Sequence, residues 1–151
     1  MKKSLKYLIF SAFSAAILTS ASLANADAIA DRKAKMKEVG KNFGIIGKMV
    51  KGENPFDGKA ALAAYMAIGE AGTGFGELFP EGSETGGETT ASPKIWSDRE
   101  GFQAKGKAFG EDLVAAIQAG EPADLDALKA SFGSVAKNCK ACHEGYRVKK
   151  E

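Results

Sequence analysis

Two cysteines, one histidine and one tryptophan in 151 residues leave little material for chemistry. The scarcity excludes several classes. Cys139, Cys142 and His143 are the only cysteines and the only histidine, so a structural zinc site would lack a fourth ligand of the usual kind. No strand–helix alternation surrounds Cys139 and Cys142, which removes the setting of a thioredoxin-type redox pair. A disulfide between them would close a strained three-residue loop and constrain little. After the N-terminal leader there is no second long apolar run to enter a membrane. No basic stripe suited to nucleic acid is apparent.

What is there begins with that leader. Lys2, Lys3 and Lys6 precede an apolar run from Tyr7 to about Leu18, and Ala24-Asn25-Ala26 has the form of a cleavage site. Residues 1–26 therefore read as a secretory signal peptide, with an uncleaved anchor as the alternative. The remaining domain, 27–151, carries 18 basic and 19 acidic residues and is close to neutral. An exported protein with no stable membrane insertion after cleavage is expected, in a bacterial periplasm. Scattered lysines on a near-neutral surface offer no clear docking face.

Apolar spacing then organises the chain. Ile29, Met36, Val39, Phe43, Ile46 and Val50 step by threes and fours, apart from the Arg32 position, and predict a helix from about Ala28 to Lys51. A second helix starts after Asp57 and turns Leu62, Tyr65, Met66 and Ile68 inward. Residues 78–94, rich in small and polar types, read as a long surface loop. Ser97-Asp98-Arg99-Glu100 fits a capping box for a third helix with Phe102, Gly106, Phe109, Leu113 and Ala116 on one stripe. In the fourth helix, capped by Asp124, the stripe is Leu128, Phe132, Val135, Cys139, Cys142 and Tyr146. Four helical segments and no strand pattern predict an all-α, antiparallel four-helix bundle. Gly40 and Gly106 are candidates for close approach of a neighbouring helix or a flat ring.

The stretch Cys139-Lys140-Ala141-Cys142-His143 fits C-x-x-C-H, the spacing for covalent c-type haem attachment. Two thiols three residues apart share a helical face and can each add to a vinyl group of one porphyrin. His143, next in line, is placed as an axial iron ligand. Both cysteines fall in the core stripe, so one haem c would be held inside the bundle.

The chain resembles the class II c-type cytochromes, the cytochrome c′ and cytochrome c-556 family. The resemblance rests on Asp31-Arg32-Lys33-Ala34-Lys35-Met36-Lys37, Leu78-Phe79-Pro80, Pro93-Lys94-Ile95-Trp96 and the ten residues from Asn138 to Arg147. It implies that Met36 occupies the position whose residue either ligates the iron, as in the c-556 branch, or only covers it. On an apolar stripe alone, methionine is ordinary core filler. The resemblance favours a His143/Met36-ligated, low-spin one-electron carrier rather than an enzyme. The alternative is a five-coordinate cytochrome c′ that binds nitric oxide or carbon monoxide. From a different class, a haem-free helical binding protein with an incidental C-x-x-C stays open. The resemblance also places Arg32 at a haem propionate and Arg147 beside the proximal imidazole. On the residues alone, these are a snorkelling arginine and a cation at a helix C-terminus. Trp96 and Phe102 are expected in the pocket walls. Partners would be redox proteins, with a homodimer through the first two helices as a family possibility.

Overall fold

A computed structural model describes residues 15–86 and 88–148; of residues 15–26 only the backbone is described. Aspartates start three of its helices. Asp57 caps α2 (Gly58–Gly72) by accepting from the Ala60 N–H at 2.9 Å, and Asp124 caps α5 (Leu125–Tyr146) through Ala127 at 2.8 Å. Between them lie the one-turn α3 (Lys94–Ser97) and α4 (Arg99–Gln118). The cap of α4 is Asp98, which accepts from the Gly101 N–H at 3.1 Å, so the helix starts one residue later than the Ser97 capping box predicts. Ser97 instead ends α3, because Pro93 opens a separate turn ahead of it.

The first helix, α1 (Ala15–Val50), reaches further towards the N-terminus than the apolar spacing indicates. Residues 1–14 of the expected leader lie outside the described residues, and the expected cleavage point falls within α1. Gly52 ends the helix in the left-handed conformation, φ 77°, which costs glycine no Cβ clash.

The four long helices form a bundle in which α1 packs on α2, α2 on α4, α4 on α5, and α5 back on α1. Among the described residues there is no strand; an isolated bridge joins Ala91 to Arg147. One core cluster runs through all four helices: Val39, Ile46 and Met49, then Tyr65 and Ile68, Leu113, and Leu128 with Val135. Burying each large apolar side chain contributes about 1.5–3 kcal/mol. Ala61 and Ala64 keep the α1–α2 contact close, and Phe43 stacks on Phe132 at 4.4 Å. On α2 the inner stripe is Ala61, Ala64, Tyr65 and Ile68. Met66, expected inside, is 57 % exposed, since it lies one residue beyond Tyr65 and so a quarter-turn off the stripe.

A second cluster closes the end of the bundle where the long loop crosses. Phe79 is its centre, edge-on to Phe75, Trp96 and Phe102, and Phe102 meets Tyr146 in turn. The loop is therefore more than a surface connection: Phe79 and Ser83 are buried.

Candidate functional site

Cys139, Cys142 and His143 share the last turns of α5, the two half-buried thiols bridging the two core clusters. Cys142 packs against the aromatic cluster, and the Cys139 thiol points to the Val135 carbonyl at 3.8 Å, beside the four-helix cluster. Burial pushes both thiols above their ordinary pKa, with the neighbouring Cys139 adding to the effect on Cys142. A redox-active pair would need the opposite shift, towards thiolate. His143 is exposed on the next position, its pKa lowered first by partial desolvation and then by the charge of Arg147. A neutral imidazole has the free nitrogen that a metal ligand requires.

Residues 105–112 of α4 run alongside this motif: Lys105 is felt by Cys142, and Asp112 accepts from the Asn138 amide at 2.7 Å. At that level a cavity of about 250 Å³ opens between α2 and α4, lined by Gly69, Gly72, Gly106, Phe109, Gly110 and Leu113 among others. A Cβ built on Gly106 or Gly110 meets nothing within 4 Å, so the glycines leave clearance that side chains would fill. Gly40 is equally open and, like Gly106, exposed, but it lines no part of this cavity. From α1, Lys35 reaches the Thr73 carbonyl at 2.8 Å, and its neighbour Met36 lies half-buried against the four-helix cluster. Two half-buried neutral thiols, an adjacent neutral imidazole and a glycine-lined apolar space fit a covalently held flat ring. Among the described residues no group of three His, Cys, Asp or Glu side chains is placed to hold a metal by itself.

Arg32 ties α1 to the long loop. It is 4 % exposed, and its guanidinium donates to Leu78 O at 3.3 Å, Ser83 Oγ at 3.2 Å, Ser83 O at 2.8 Å and Thr89 Oγ1 at 2.8 Å. It also lies 4.9 Å from the Phe79 ring centre and 5.8 Å from that of Trp96. Burial lowers its pKa, opposed by Glu84, but a guanidinium stays charged at neutral pH. Arg32 is thus the latch of the long loop. Trp96 supports the same loop by donating Nε1–H to Pro80 O at 3.0 Å. Phe102 and Trp96 both belong to the cluster around Cys142. Arg147 is close enough to depress His143 and donates Nε–H to Thr90 Oγ1 at 3.3 Å. Ser83 and Thr89 are participants that local sequence patterns do not mark.

Comparison with known proteins decides the family. The family model described as Cytochrome C′ matches residues 27–147. The chain belongs to the cytochrome c′ family. A cytochrome c′ of Rhodopseudomonas palustris is 40% identical over 85% of this chain and 86% of its own. A cytochrome c-556 of Agrobacterium tumefaciens is 35% identical over 79% of this chain and 95% of its own. Among solved structures, the nitric oxide complex of a leucine-to-isoleucine mutant of cytochrome c′ from Alcaligenes xylosoxidans superposes with a TM-score of 0.74. That structure is 34% identical and covers 83% of this chain and 97% of its own. The cofactor of this cytochrome c′ family member is accordingly a covalently attached c-type haem with its iron.

These findings correct the expected His143/Met36 low-spin carrier. One cytochrome c′ relative stands at 40% identity, and a structural neighbour is a nitric oxide complex. The cytochrome c-556 relative, at 35%, does not carry the methionine-ligated reading against them. Met36 packs as an apolar side chain against the core.

Proposed function

We propose that this cytochrome c′ family member is a periplasmic haem protein that binds nitric oxide or carbon monoxide and exchanges single electrons with protein partners. Cys139 and Cys142 carry the ring through thioether bonds, His143 is the iron ligand, and Arg147 stands beside it. When bound, the haem supplies an iron that changes oxidation state by one electron and takes a small gas at its open position. What carries the reading is the likeness to cytochrome c′ proteins, one of them solved as a nitric oxide complex, with Met36 packed half-buried against the core as an apolar side chain.

Residues 1–26 act as the cleaved leader, which agrees with a family match beginning at Asp27. Among the described residues no helix is long and apolar enough to cross a membrane. A homodimer through α1 and α2 is supported by one large exposed apolar side chain on each, Ile45 and Met66.

The test is the absorption spectrum of the purified holoprotein. A high-spin spectrum that shifts on adding nitric oxide or carbon monoxide is expected. A low-spin spectrum indifferent to both gases overturns the proposal.

A further inference from the structure

Charge on the outside of α1 is arranged, although the chain as a whole is near neutral. At 3.6 residues per turn, Lys33, Lys37, Lys41, Lys48 and Lys51 fall within a sector of about 80°, along about 27 Å of helix and its end. All five are exposed, and no acidic residue of α1 shares their sector; Asp27, Asp31 and Glu38 lie to one side. Lys41 reaches Glu38 at 3.5 Å and Lys51 reaches Glu53 at 3.9 Å. Lys33, Lys37 and Lys48 have no ion-pair partner among the described residues. Like charges four residues apart, as at Lys33, Lys37 and Lys41, destabilise a helix. Elsewhere the balance reverses: between Lys59 and Lys94 there are five glutamates and no basic residue.

From this we infer that the lysine stripe of α1 is the docking face for an acidic redox protein. The inference rests on the haem-binding reading above and names the surface through which electrons pass. Lys33 and Lys37 flank Met36 in sequence and lie about 60° and 100° from it around the helix, on the exposed side. A partner seated there is one helix diameter, about 10 Å, from the site on the inner side. The glutamate-rich loop repels the same partner, so the field both attracts and orients it.

Other occupants fit less well. An interfacial helix inserts its apolar face into lipid, whereas the apolar face of α1 is already buried under Val39, Ile46 and Met49. A second copy related by a two-fold axis would set lysine against lysine. Nucleic acid recognition favours the forked arginine, and this stripe has none.

The experiment uses the ferrous holoprotein in stopped flow, oxidised by ferricyanide or by a cationic cobalt(III) tris-phenanthroline complex across a range of ionic strength. At low salt, Lys33→Glu with Lys37→Glu is expected to slow ferricyanide about tenfold and to speed the cationic oxidant. Lys59→Glu with Lys129→Glu, an equal change in net charge elsewhere, is expected to leave both rates nearly unchanged. Amide shifts on adding polyglutamate should map to residues 33–51. Equal effects of the two double variants, or polyglutamate shifts elsewhere, overturn the inference. So does stripe-dependent binding to phosphatidylglycerol vesicles without polyglutamate shifts. The spectrum and gas binding of each variant are read separately, so a failure of the gas-binding proposal is seen independently of salt and charge.

Discussion

Replacing Arg32 by alanine tests whether one side chain holds the long loop to the bundle. Four hydrogen bonds from a charged donor to Leu78, Ser83 and Thr89 are lost together with the contact over Phe79. A single bond from a charged group is worth about 1.5–3 kcal/mol net. The four act as one unit, and the freed carbonyls reach water once the loop opens, so they do not add. A loss of about 3 kcal/mol follows, which for a bundle of this size lowers Tm by about 10 °C. Arg32→Lys keeps the charge but loses the fork that serves Ser83 and Thr89 at once, and recovers at most about a third. Thermal unfolding of the holoprotein followed by circular dichroism measures the shift. Amide hydrogen exchange across residues 79–91 localises it. If Arg32→Ala unfolds within about 2 °C of the parent with loop protection intact, the latch is refuted. Had the guanidinium served a propionate instead, the reduction potential would move while the loop stayed protected.

Gly101→Ala should destabilise by about 1–3 kcal/mol in denaturant titration, because its Cβ would lie 2.3 Å from the Tyr146 hydroxyl and 2.6 Å from Asp98. The Asp98 carboxyl is held below its ordinary 3.8, first by the Tyr146 hydroxyl and then by the Gly101 N–H. A depressed folded pKa stabilises above the unfolded value and is lost as pH falls through the folded one. Tyr146→Phe should therefore be less stable than the parent at pH 7, the gap closing below about pH 4 in acid unfolding. Met36→Ala should leave the spectrum high-spin and raise affinity for carbon monoxide; conversion from low-spin to high-spin would instead restore a ligating methionine. Exchanging both Cys139 and Cys142 for alanine should remove the haem mass from the intact protein while circular dichroism still reports helix.

Much of the bundle can be read from spacing alone. Leu128, Val135 and Tyr146 on α5, and the caps Asp57 and Asp124, follow from patterns a few residues long. The attachment motif is equally local. The Arg32 latch is not, since its partners Ser83 and Thr89 are 51 and 57 residues away in a stretch with no periodic signal. Arg32 reads as a charge misplaced on an apolar stripe until the loop that consumes it is known. Met36 illustrates a different limit: a thioether on a core stripe looks the same whether it packs or bonds to a metal. The lysine stripe was legible in the spacing of residues 33, 37, 41, 48 and 51, but near-zero net charge conceals it.

The bridge between Ala91 and Arg147 does not stand alone. Ser92 and Val148 donate their N–H groups to Tyr146 O and Thr90 O, and Thr89 is held in turn by Arg32. The end of α5, the long loop and α1 are thereby tied into one chain of hydrogen bonds, so releasing the loop at Arg32 would also free the last turn of α5.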